Sequence, residues 1–126
     1  MHDAQRKVRA FHERFGCTVN DRPTWPGESV HRLRMALLDE ELAELRNAGE
    51  AQNLVGIADA LGDLLYVAYG AAVSYGIDLE PVFEEIHRSN MSKGVPGLKV
   101  RADGKVGKGA SYSPPRVEEV LAAQVS

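Results

Sequence analysis

Cysteine is nearly missing from this chain: Cys17 stands alone among 126 residues. One thiol excludes an internal disulfide framework, and a reducing compartment is the expected setting. Nothing near Cys17 in the sequence builds a nucleophilic triad, so it is set aside as a catalytic nucleophile. Excess positive charge is missing too. The formal net charge is −3, which gives no electrostatic case for nucleic acid or an anionic membrane as partner. The N-terminal "MHDAQRKVRAF" lacks the apolar core of a signal peptide. No uninterrupted apolar run approaches the roughly 20 residues needed to span a bilayer. The expected location is therefore the cytoplasm, of a cell or of an infected host cell. The four histidines His2, His12, His31 and His87 are scattered without paired-ligand spacing, which disfavours a soft-metal site. The P-loop pattern GxxxxGK[ST] is absent, and no internal repeat or strand-like alternation stands out.

What remains is helical. Val8, Phe11 and Phe15 recur at helical spacing over residues 3–15, with Asp3 as the expected N-cap. "GCTVNDRPTWPG" breaks the pattern as a loop. A second helix is expected from Glu28 to about Ala48 and a third from about Glu50 to Tyr75. A fourth, capped by Asp78, is expected to reach Met91. Residues 92–115 are irregular and rich in glycine and proline, and 116–124 form a short last helix. A long irregular segment in a small domain is usually functional or disordered. The expected architecture is all-α: an antiparallel four-helix-type bundle with a C-terminal irregular arm and a short last helix. It forms a single domain over 1–126, with 1–91 as helical core and 92–126 as arm and terminal helix. A chain this small gains from self-association.

Two carboxylate patterns stand out. In "LLDEELAEL" Glu40, Glu41 and Glu44 fall within about 100° of helical arc, on a stripe with Leu33 and Leu37. In "IADALGDLLY" Asp59 and Asp63 share a face with Tyr66 and Gly70 in an otherwise apolar helix. No lysine or arginine lies between Asn47 and Glu85 to neutralise them locally. A solvated acidic face is the plain reading of such a run. Carboxylates on two facing apolar helices instead suit a hard cation, Mg²⁺ or Mn²⁺, and such an ion points to phosphate chemistry. Downstream, Asn90 and Lys93, then Arg101, Lys105 and Lys108 in the glycine-rich stretch, offer donors for a phosphate chain. A disordered basic loop is the alternative for that stretch.

These residues resemble a known family. "EELAE" followed by "DALGDLLY", then "GIDLEPVFEEIHRSNMSK" and "ADGKVGKGASYSPPRV", is similar to the all-α nucleoside triphosphate pyrophosphohydrolases. That superfamily includes MazG-like proteins, dimeric dUTPases and phosphoribosyl-ATP pyrophosphohydrolase. The likeness covers roughly residues 8–120, and the arm favours the small MazG-like or dUTPase-like branch. The family pattern is EExxE on one helix and ExxD on the next. Glu40, Glu41, Glu44 and Asp63 match it. Ala60 stands where the second motif has glutamate, with Asp59 as the nearest carboxylate.

The resemblance implies hydrolysis of a (d)NTP, with dGTP/GTP or dUTP as candidates, to (d)NMP and pyrophosphate. It implies two to three Mg²⁺ or Mn²⁺ ions on Glu41, Glu44, Asp63 and Asp59, and Glu40 on the attacking water. Asn90, Lys93, Lys105 and Lys108 are then expected on the phosphates. Trp25, or the Phe11–His12 pair, is expected at the base, with Tyr66 near the sugar. The partners implied are a (d)NTP and a second copy of the chain, as a dimer or dimer of dimers. Two rival readings are a non-catalytic helical module binding metal or nucleotide, and an enzyme acting on phosphoribosyl-ATP.

Overall fold

The structure is a computed structural model that describes residues 1–94, 102–104, 107–109 and 111–125. Among the described residues five helices follow one another: α1 (Asp3–Phe15), α2 (Glu28–Glu50), α3 (Leu54–Tyr75), α4 (Leu79–Met91) and α5 (Val117–Val125). There is no strand among the described residues, so the fold is all-α, as expected. The chain divides into two compact units, Met1–Leu79 and Glu80–Ser126. From Glu80 onward α4 groups with the C-terminal segment.

Local chemistry explains the helix ends. Asn53 caps α3, its side chain accepting from the Gly56 N–H at 3.1 Å. Gly76 ends α3 in the left-handed region, with φ of 71°. The Gly76 and Ile77 N–H groups then return to the carbonyls of Val73 and Ala72, the Schellman arrangement. Gly16 ends α1 likewise, with φ of 74°. The expected cap at Asp3 is corrected. His2 precedes α1 without a side-chain cap, and Asp3 is the first helical residue, bonded to Arg6 at 2.8 Å. An acid at that position still interacts favourably with the helix dipole.

In the first unit α3 packs against both α1 and α2. The α1–α2 loop is stitched to the end of α3. Asn20 and Thr24 donate backbone N–H groups to the carbonyls of Val73 and Tyr75, and the Asn20 side chain donates to the Ser74 carbonyl at 2.7 Å. Gln5 bridges outward from α1: its Nε2 donates to the Ile77 carbonyl, and its Oε1 accepts from the Leu79 N–H. Val8, Ala60, Ala72 and Val73 are buried, as are Gln5, His12, Arg34 and Ser74. Small residues on α3 allow this close approach.

Two expectations change. Leu33, on the stripe of the α2 glutamates, is exposed, and so are Leu54, Val55, Leu61 and Leu65 of α3. Also, α3 is long and apolar enough by length and composition alone to cross a membrane. Its alanines, glycines and valines dilute Asp59 and Asp63 over 22 residues, which a count of unbroken apolar runs overlooks.

In the second unit Glu85 of α4 holds the start of α5. Its two oxygens accept from Arg88 Nε and Nη2 at 2.7 Å each. Its Oε2 also accepts from the Arg116 N–H at 2.7 Å. Ser92 adds a second tie, its Oγ accepting from the Ser113 N–H at 2.8 Å.

Candidate metal and nucleotide site

Glu41 and Glu44 lie three residues apart on α2, and so on one face. The three-residue connection at 51–53 folds α3 back along α2 as a helical hairpin, which brings Asp63 opposite them. One oxygen from each of Glu41, Glu44 and Asp63 falls within 4.8 Å of the others. Glu41 is the most confined. Its Oε2 is buried with no hydrogen-bond partner. Its carboxyl is pushed above the usual carboxylate range, first by burial, then by the charge of Glu44 and the hydrogen bond with it, then by Asp63 and Glu40.

Three hard oxygen donors from two helices, one of them desolvated and unpaired, fit a divalent Mg²⁺ or Mn²⁺ ion. Glu40 is exposed on the same helix, close enough for its charge to act on Glu41. Asp59 is exposed and outside the group of three, and Ala60 beside it is 2% exposed. The position at which the family carries glutamate therefore faces the interior of the first unit.

A cleft of about 290 Å³ opens beside the acids. Glu41 and Asp63 line it together with His12, Phe11 and Tyr66. The Phe11 and Tyr66 rings meet edge-to-face, 5.8 Å apart. Leu37, Val67 and Gly70 complete the apolar wall. Two further lining residues, Arg34 and Cys17, were not picked out for this site from the sequence. Arg34 carried a legible signal: it lies seven residues before Glu41, on the same helical stripe. Trp25 does not line this cleft. It packs on His31 and Tyr75, with ring centroids 5.0 and 6.2 Å away.

The expected phosphate ligands belong to the second unit. Asn90 lies in the last turn of α4, and its carbonyl accepts from the Lys93 N–H at 3.2 Å. The Lys108 ammonium lies 4.8 Å over the Tyr112 ring. Lys105 and Arg101 fall outside the described residues.

A helical hairpin that gathers carboxylates beside an aromatic cleft is the arrangement expected of the all-α pyrophosphohydrolases that the sequence resembles. Comparison with family models makes this specific, for residues 8–90 match the model described as phosphoribosyl-ATP pyrophosphohydrolase. The chain belongs to that family, within the MazG-like all-α nucleoside triphosphate pyrophosphohydrolase superfamily. Over 49 residues it is also 47% identical to an uncharacterized protein of Acanthamoeba polyphaga mimivirus. That stretch covers 39% of this chain and 20% of the relative's length.

Proposed function

We propose that the protein hydrolyses a nucleoside triphosphate, dGTP/GTP or dUTP being the candidates, to the monophosphate and pyrophosphate. The observation that carries this reading is the Glu41–Glu44–Asp63 group, with its orphaned Glu41 oxygen, at the edge of an aromatic-walled cleft. Glu41, Glu44 and Asp63 would hold Mg²⁺ or Mn²⁺, which supplies charge neutralisation and polarisation of the α-phosphoryl group. Glu40 orients or deprotonates a water whose oxygen attacks the α-phosphorus, and the α–β anhydride bond breaks. Phe11 and Tyr66 flank the base and sugar, with His12 behind them. The resemblance assigns Asn90, Lys93, Lys105 and Lys108 to the phosphates, and Lys93→Ala, read as KM for the triphosphate, tests that role. Self-association is part of the reading, supported by the exposed apolar residues of α3.

The test is pyrophosphate release with Mg²⁺ or Mn²⁺ across a full (d)NTP panel that includes phosphoribosyl-ATP. Turnover of phosphoribosyl-ATP alone would establish the second reading, which the family match favours. No release from any member would leave a non-catalytic module, the reading that Ala60 favours. Asp59→Ala with unchanged metal dependence would remove Asp59 from the ligand set.

A further inference from the structure

We propose that Arg34 selects the nucleobase, accepting bases that present an oxo acceptor edge and rejecting adenine. The inference rests on reading the cleft as a nucleoside triphosphate site, and turnover of phosphoribosyl-ATP, whose base is adenine, would overturn it.

Arg34 is a buried cation with no anionic partner among the described residues. It is 7% exposed, and its Nε has no hydrogen-bond partner. Its Nη1 reaches His12 Nε2 at 3.4 Å. His12 steers this group without neutralising it. The His12 Nδ1 lies 2.9 Å from the Thr18 carbonyl, so that nitrogen carries the proton and Nε2 is left to accept. Burial also lowers the His12 pKa, which keeps the ring neutral. Among the described residues no carboxylate forms an ion pair with Arg34. A buried guanidinium left unpaired is costly unless a ligand completes it.

Three helices build this seat. Arg34 comes from α2 and His12 from α1, while Gly70 of α3 leaves the space. A Cβ at Gly70 would stand 2.5 Å from Arg34 Nη1 and 3.2 Å from His12 Nε2. Seven residues separate Arg34 from Glu41, about 10 Å along the helix. The cleft is therefore polarised, with acids at one end for the metal-bound phosphates and a donor fork at the other. Phe11 and Tyr66 lie on its wall.

Guanidinium donates and never accepts. Its fork matches O6 and N7 of guanine, and it also suits the carbonyl of uracil or cytosine. Adenine sets its N6 amino donor beside N7, so one arm of the fork meets another donor. A phosphate also fits such a fork, but apolar aromatic walls favour a base.

The experiment measures equilibrium binding of dGMP, dUMP, dCMP and dAMP by calorimetry with Mg²⁺ present, and ribose 5-phosphate serves as the phosphate probe. The variants are Arg34→Gln and Gly70→Ala; the second displaces the guanidinium while keeping its charge. The wild type is expected to bind at least one oxo-base nucleotide about tenfold or more tighter than dAMP. Arg34→Gln should weaken that nucleotide roughly 10- to 100-fold and change dAMP less than about threefold. Gly70→Ala should lose the same preference in part, which keeps the test decisive if Arg34→Gln fails to fold. A wild-type preference for dAMP, an equal loss across all bases, or ribose 5-phosphate binding as well as dGMP would each overturn the proposal. Arg34-dependent base preference in a protein that releases no pyrophosphate would overturn the catalytic reading and leave this one standing.

Discussion

At the scale of single residues, Glu41 concentrates the chemistry. Like charge and burial raise its pKa, so the metal-free folded state holds a proton there more tightly than the unfolded chain does. That contribution to stability is present below the unfolded value and is lost as pH rises through the raised folded one. A divalent ion reverses the balance, because it competes with the proton for the same oxygens. Added Mg²⁺ or Mn²⁺ is therefore expected to raise the melting temperature more at pH 8 than at pH 5, measured by scanning fluorimetry. Glu41→Gln should remove most of that metal-induced shift and lower pyrophosphate release by roughly 100-fold or more, the scale of losing one group that stabilises transition-state charge. The metal-free variant should melt no lower than the metal-free wild type, because a like charge has been removed from the group. A variant with wild-type metal response would show that the ion sits elsewhere.

At the scale of elements, two junctions decide how helices are held. Gly76 ends α3 where a Cβ would stand 2.1 Å from the Arg22 carbonyl oxygen, and its φ is positive. Gly76→Ala therefore combines a left-handed strain of about 1 kcal/mol or more with a clash against backbone that cannot step aside. The expected result is a loss of more than about 2 kcal/mol in urea unfolding, well above the ~1 kcal/mol typical of a point change. In the second unit Glu85 is drawn down to about 2, first by its hydrogen bonds with Arg88, then by the Arg116 N–H. The depressed value means the tie is fully present above the ordinary carboxylate pKa of 4.5 and is lost as pH falls toward 2. Hydrogen exchange at the Arg116 and Val120 amides should accelerate, relative to the intrinsic rate, over that window. In Glu85→Gln it should be fast at neutral pH too.

At the scale of the whole molecule, the exposed apolar residues are the feature to explain. Leu54 and Val55 are 78% and 81% exposed, and Leu61 and Leu65 are more than half exposed. A soluble monomer seldom leaves such residues close together. Sedimentation is expected to show a dimer or larger species, and Leu61→Asp with Leu65→Asp should shift it toward monomer. A wild-type monomer at high concentration would show that self-association is not what covers this face.

The helices were legible in the sequence because their signals are local. Gly16 and Gly76 stop α1 and α3 within a few residues of the periodic pattern they end, and five helices were countable from spacing and punctuation. The carboxylates on α2 were legible for the same reason, since i and i+3 share a face in any α-helix. Spacing alone did not tell which acid on α3 joins them; only the resemblance pointed to Asp63. Asp59 and Asp63 look equivalent along the chain, and only the packing of α3 on α2 leaves Asp59 outside the group and turns Ala60 inward. Arg34 is the same lesson in a cation. Its seat exists because Gly70, 36 positions away, has no side chain, a fact about two helices in contact. Sequence alone thus determined the helices, the acidic face and the family pattern, all set by short-range geometry. The tertiary structure decided which acids meet, where the cleft opens and what cation waits in it, because those depend on which side of each helix another helix covers.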